Sequence, residues 1–252
     1  MVIAINSYAP ASAEFMTRYL DFDTGEEPDY LINIWPHQKL ASTTVREDDS
    51  YFYNVVTFDE KFYYRHHKHA EVLDVILPAT FKFWEIDNFL KLFFSSRCLN
   101  HGTILLHASG IIRDDKVVLF TAPSGTGKST IAGLSGCPII HDDIIALEQL
   151  PEQRFRLYTI PFKVGYKAVE HYCSQIDLYR IYQSADTFIE ETSSPEQLAI
   201  LLFGLWSFDH FHRGNSREYN QMTLAYCHKL VPFLNPRKLF FSLGSEFIPL
   251  LS

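Results

Sequence analysis

Nine consecutive residues carry the strongest chemical signal in the sequence: Ala122-Pro123-Ser124-Gly125-Thr126-Gly127-Lys128-Ser129-Thr130. A bound phosphate needs several backbone N–H groups aimed inward, a helix N-terminus behind it and a cation in front. Gly125 and Gly127 let the backbone curl closely enough, Lys128 reaches the β and γ phosphates, and the Ser129 hydroxyl binds Mg²⁺, with Thr130 the weaker metal candidate. The expected nucleotide cradle is therefore Pro123, Ser124, Gly125, Thr126, Gly127, Lys128, Ser129 and Thr130. The pattern G-x-x-x-x-G-K-[ST] is broken at its first position, where Ala122 stands for glycine. The competing reading is a chance glycine turn between a strand and a helix. Against it stand the Lys-Ser pair and the apolar run VVLFT just upstream. Binding of ATP or GTP follows, with ATP and Mg²⁺ as the working assignment.

Fourteen residues past Lys128 comes Asp142, in the run His141-Asp142-Asp143 between Ile139-Ile140 and Ile144-Ile145. Two carboxylates inside an apolar run are costly to bury unless a metal or a proton transfer uses them. Neighbours on a strand face opposite ways, so one can face Mg²⁺ while the other accepts a proton from an attacking hydroxyl. Two solvated turn aspartates are the alternative, because Asp favours turns. His107, in Leu106-His107-Ala108-Ser109-Gly110, is on chemistry alone more often a satisfied core group.

The elements that must position these residues are read from periodicity. Tyr51 to Leu77 is dense in Tyr, Phe and Val and reads as strands joined by turns. Residues 80–99 place Phe81, Trp84, Ile86, Phe89, Leu90 and Phe93 at helical spacing. Thr103–Leu106, Ser109–Ile112 and Lys116–Thr121 predict strands around the turn Arg113-Asp114-Asp115, ending at the glycine loop. Ser129–Ser135 has room for about two helical turns. Ile139 to Ile145 reads as one strand carrying both aspartates. Ser194 as cap, with Pro195 at the first helical position, opens the next helix. Another runs from Ser216 to Leu230, before Pro232. Lys238–Leu243 predicts a strand and Ser245–Leu251 a short terminal helix capped by the serine. Residues 1–50, with the acidic stretch around Glu26-Glu27, predict little. The expected organisation is a β-rich region with a helix over 1–99 and a catalytic core over 100–252.

The order Leu106-His107-Ala108-Ser109-Gly110, LFTAPSGTGKST, IIHDDIIALE resembles the core of the HPr kinase/phosphorylase family, over about residues 100–150. That resemblance implies an α/β fold: a P-loop core of the phosphoenolpyruvate-carboxykinase type with a mixed sheet. It implies phosphate and Mg²⁺ binding by Lys128 and Ser129, and a place for His107 near the transferred phosphoryl group. It further implies Asp143 as the base and Asp142 as its metal-binding partner. Full HPr kinases carry a downstream E-[IV]-x-R-G signature; here Arg213-Gly214 follows Phe211-His212 without the glutamate. The resemblance is thus to the shorter relatives, which include serine kinases of ribosomal peptide precursors. The expected catalytic set is His107, Lys128, Asp142 and Asp143, with Ser129 and Asp142 at the metal. The expected activity is an ATP- and Mg²⁺-dependent kinase acting on a serine of a peptide or small protein. Alternatives are a small-molecule hydroxyl kinase, or a nucleotide-binding regulator or scaffold with little turnover.

Composition narrows the partners. With 22 basic and 30 acidic residues the net charge is −8, which argues against a broad grip on nucleic acid. Lys163, Lys167, Arg180, Arg213 and Arg217 offer local positive charge in the later half, none singled out. The four cysteines form no C-x-x-C pair, and no apolar run approaches a membrane span, so a cytoplasmic protein with reduced thiols is expected. Homo-oligomerisation stays open. The histidines in Tyr63-Tyr64-Arg65-His66-His67-Lys68-His69 match no usual zinc spacing and read as a solvated strand end; His210-Phe211-His212 is assigned no metal either. The abundant aromatics read first as core filling.

Overall fold

Alternation of apolar residues builds the first sheet of the computed structural model. The structure describes residues 3–7, 25–36, 50–56, 61–67, 72–77, 83–160, 168–206, 216–244 and 246–251. Two compact units divide the chain, Met1–Lys91 and Leu92–Ser252. In the first, β1 (Ile3–Ser7), β2 (Tyr30–Pro36), β3 (Ser50–Val56), β4 (Lys61–His67) and β5 (Val72–Leu77) form one sheet in the order β1-β2-β5-β4-β3. Ile32, Ile34, Leu73 and Val75 are buried at a spacing of two, so one face is apolar. The described residues between Tyr51 and Leu77 are thus strands as expected, while β1 and β2 arise in a region from which little was expected.

Helix α1 (Phe83–Arg97) buries Ile86, Phe89, Leu90 and Phe93, the expected stripe. Phe81 and the side chain of Trp84 lie outside the described residues. In the second unit β6 (Thr103–Arg113) is one continuous strand, longer than the two short pieces expected, because its burial is almost unbroken. It turns at Asp114-Asp115 into β7 (Lys116–Thr121), antiparallel to it. Helix α2 (Lys128–Leu134) follows the glycine loop. Then come β8 (Ile139–His141), β9 (Ile144–Gln149), β10 (Phe155–Thr159), β11 (Glu170–Cys173), β12 (Ile176–Gln183) and β13 (Phe188–Glu190). Helices α3 (Ser194–Gly204) and α4 (Ser216–Leu234) precede β14 (Arg237–Phe241) and a 3-10 turn at Ile248–Leu251.

The strand order is β11-β10-β9-β6-β7-β12-β14-β13, with β8 also on β6. β7, β12 and β14 run parallel and the remaining pairs antiparallel, so the sheet is mixed. Its two faces hold two cores. Leu119 and Leu178 pack with Ile200 and Leu201 of α3 and Leu230 of α4; Phe120, Tyr179 and Phe241 pack with Ile131 and Ala132 of α2. A sheet between helical layers is the arrangement expected when parallel strands are buried on both faces.

Three expected boundaries move. The cap of α3 is Ser193, whose backbone N–H donates to Glu196 Oε2 at 3.0 Å, so Pro195 lies one place deeper than expected. Helix α4 continues through Pro232 to Leu234: burial of Val231 and Leu234 outweighs one lost backbone hydrogen bond. The terminal helix is only the 3-10 turn, and Ser245 lies outside the described residues.

Candidate functional site

The glycine loop leaves the C-terminal end of β7, the edge at which parallel sheets place their ligands. Gly125 (φ +81°) and Gly127 (φ +108°) occupy backbone conformations that side-chain-bearing residues rarely adopt. Gly127 ends the loop, and α2 starts at Lys128. The Thr126 N–H donates to Pro123 O at 3.3 Å, and Gln183 Nε2 donates to Thr126 O at 3.1 Å, tying the loop to the end of β12. Ala122 needs no positive φ and is 1% exposed, its methyl group joining the core under α2. That is why alanine serves at the first position.

Lys128 is buried, and its Nζ donates to Ala122 O at 3.0 Å and Pro123 O at 3.4 Å. Burial pulls its pKa below the ordinary lysine value, with Asp143 acting the other way. A buried ammonium held only by neutral carbonyls gains from an arriving anion. Pro123, Ser124, Gly125, Ser129 and Thr130 are exposed around it. A Cβ built on Gly125 would meet nothing within 4 Å, so the mouth of the loop is open.

The carboxylate pair departs from the expected strand. The chain bends at Asp142-Asp143 between β8 and β9, and both residues are half-buried. The alternation that would send the two side chains to opposite faces is therefore absent. Pairing with β6 resumes in register on either side, His141 opposite Gly110 and Ile144 opposite His107. The bend is pinned to β6 by Ala108 N–H donating to Asp143 O at 3.0 Å and by the Ser109 hydroxyl donating to Asp142 O at 3.4 Å. His141, buried, accepts the N–H groups of Asp143 and Ile144 at Nδ1, at 3.1 and 3.2 Å.

His107 Nε2 lies 3.6 Å from Asp143 Oδ1. Burial first and the Lys128 charge second lower the His107 pKa, while Asp143 raises it. The Trp206 ring meets the imidazole edge-on, 5.9 Å between centroids, and the Trp206 backbone N–H donates to Leu105 O at 2.8 Å. Lys128 and Asp143 are thus close enough to act on the protonation of His107, and Asp142 sits beside Asp143 on the same bend. Reading from sequence missed His141, Gln183 and Trp206 as supports. His141 stood next to the aspartates and signalled itself; Gln183 and Trp206 are brought in by strand order and had no local signal.

The other sequence candidates scatter. His66 and His67 end β4, whereas Lys68, His69, Lys163, Lys167, His210, Phe211, His212 and Arg213 lie outside the described residues. Arg217 is exposed on α4. Among the described residues no three His, Cys, Asp or Glu side chains group to hold a metal ion, and no helix is long and apolar enough to cross a membrane.

No protein-family model matches the chain, and no curated protein matches it in sequence. Among solved structures, the Hpr(Ser) kinase/phosphatase from Coxiella burnetii is similar at 13% identity and a TM-score of 0.29, over 58% of this chain and 90% of that one.

Proposed function

We propose that the chain is an ATP- and Mg²⁺-dependent kinase that transfers the γ-phosphoryl group to a serine hydroxyl of a peptide or small protein. The observation that carries this reading is the meeting of Lys128, at the start of α2, with His107 of β6 and Asp143 of the β8–β9 bend. A loop made only to bind nucleotide needs the lysine and the glycines. It does not need a carboxylate on a pinned bend beside a neutral imidazole.

In the proposed reaction the acceptor oxygen forms a bond to the γ phosphorus as the bond to the β–γ bridging oxygen breaks, and ADP leaves. Lys128 exchanges its carbonyl partners for phosphate oxygens, and the loop N–H groups hold the charge in place. Asp143 takes the proton of the acceptor hydroxyl. His107 stands 3.6 Å from that carboxylate and, with its pKa lowered by burial, adds no standing positive charge beside it. The Ser129 hydroxyl and the Asp142 carboxylate would hold Mg²⁺, which supplies charge neutralisation on the phosphates. So small a protein ligand set suits an ion that keeps several waters and binds through phosphates.

The test is mass spectrometry of serine-containing peptides and proteins after incubation with the protein, ATP and Mg²⁺, beside Lys128→Ala. A phosphoryl mass gain on serine that disappears with Lys128→Ala supports the reading. Nucleotide binding with no phosphorylated acceptor of any class would instead favour a regulatory module.

A further inference from the structure

Arg180 is placed differently from the other described cations of the second sheet, most of which bind carboxylates, while Arg113 donates to the Ile248 carbonyl. Lys116 and Arg237 both bind Asp177, Arg156 binds Glu148 and Glu170, and Lys238 binds Glu190 and Glu196. Arg180 has no carboxylate partner among the described residues. Its guanidinium lies over two rings instead, 4.1 Å from the centre of Phe203 and 5.4 Å from that of Tyr182. Stacking fixes the plane of the group and leaves its edge donors for a planar acceptor such as a carboxylate.

Arg180 pairs with Thr121, the last residue of β7, and the phosphate loop begins one residue later. Tyr182 stands two residues nearer the same edge, so the side chain leans toward the loop. Along β12, Ile176 and Leu178 share a core with Ile200 and Leu201 of α3, whereas Tyr179 and Ile181 share one with α2. Arg180 follows the α3 side by alternation. Lys128 and the start of α2 lie on the opposite side, so Arg180 flanks the same sheet edge from the α3 side. Beside it the surface is aromatic. Tyr182, Phe240 and Phe188 stack across β12, β14 and β13 with centroids 5.0 and 4.6 Å apart, and Phe188 and Phe203 are 43% and 40% exposed.

We propose that Arg180 selects the acceptor: it binds the carboxylate of an Asp or Glu in an acceptor peptide whose apolar neighbours rest on Phe203 and Phe188. The inference rests on the kinase reading and adds the acidic, partly apolar character of the substrate to it. A buried charge pair at an interface acts on partner choice, and reversal of its sign inverts that choice.

The experiment is phosphorylation of a positional-scanning library of serine peptides by the wild-type protein, Arg180→Gln and Arg180→Glu, with ATP affinity measured on the same preparations. We expect the wild type to favour Asp or Glu over Lys or Arg by about tenfold or more at one position relative to the serine. Arg180→Gln should lose that preference and Arg180→Glu should invert it, both keeping ATP affinity within about twofold. An acidic preference that persists in Arg180→Glu overturns the proposal. So does a loss of ATP affinity as deep as that of Lys128→Ala, which would make Arg180 a nucleotide ligand. ATP binding with no peptide phosphorylated by the wild type overturns the peptide-kinase reading and this proposal with it.

Discussion

His141 Nδ1 accepts the backbone N–H of Asp143 at 3.1 Å, so a buried imidazole holds the bend that carries the proposed base. The same bend is tied from the other side by Ala108 N–H donating to Asp143 O. Two independent anchors fix the backbone, and the carboxylate then stands 3.6 Å from His107, next to Ala108 on β6. A base works in proportion to how well it is placed, so the proposed role of Asp143 depends on this rigidity.

Asp143→Asn keeps the shape of the side chain and removes its ability to take a proton. ATP affinity should stay within about threefold, while the single-turnover rate of transfer should fall by about 10²–10⁴-fold, the usual worth of a general base. Calorimetry and rapid-quench kinetics measure the two quantities separately. Unchanged transfer would remove Asp143 from the role.

Burial, then Lys128, lowers the His107 pKa from the ordinary value of 6.5. The unfolded chain therefore holds more protons on His107 than the folded one between the lowered value and 6.5. The contribution to stability is present above pH 6.5 and is lost as pH falls through the folded value. Transfer should follow the same direction, with an acid limb whose midpoint lies below 6.5. His107→Gln should move that limb, leaving only the loss of the proposed base. An unmoved limb would assign it to another group.

The loop, its lysine and the strand leading into it were legible in the sequence because they are local: Gly125, Gly127 and Lys128 sit within four residues and need no distant partner to be recognised. The mixed sheet of β6 to β14 agrees with an α/β reading for the same reason, each strand being a run of buried apolar residues. Asp142 and Asp143 were legible as residues and not as geometry. The apolar flanks suggest one strand, yet the bend is stabilised by an acceptor on His141 and by donors on Ala108 and Ser109 of β6. Pro232 misled in the opposite direction, since the burial that carries α4 past it depends on a core assembled from other strands. Gln183 and Trp206 reach the site through strand order and chain return, which no spacing encodes.

Gly127 tests the loop backbone. A Cβ there would find its nearest neighbour, Phe241 Cζ, at 3.5 Å, which is ordinary contact, but φ is +108°. The conflict is conformational and not one of space. Gly127→Ala should cost about 1–3 kcal/mol where the backbone keeps its form, or reshape the loop where it does not. Either way ATP affinity should fall at least about tenfold, because the N–H groups at the start of α2 lose their common aim. Wild-type affinity in Gly127→Ala would show that the phosphate is held elsewhere.

His141 offers the sharpest separation of structure from chemistry. In His141→Phe the N–H groups of Asp143 and Ile144 both lose their acceptor, at about 1–3 kcal/mol for the buried Ile144 N–H and less for the half-buried Asp143 N–H. The thermal midpoint should drop and the bend should loosen. Asparagine can accept at least one of these bonds through Oδ1, so His141→Asn should recover part of the loss. The functional readout is the split between binding and transfer. Lys128 and the glycines do not lean on His141, so ATP affinity should hold in both variants, while transfer falls in the order wild type, His141→Asn, His141→Phe. Equal transfer in all three would mean that Asp143 is positioned from β6 alone.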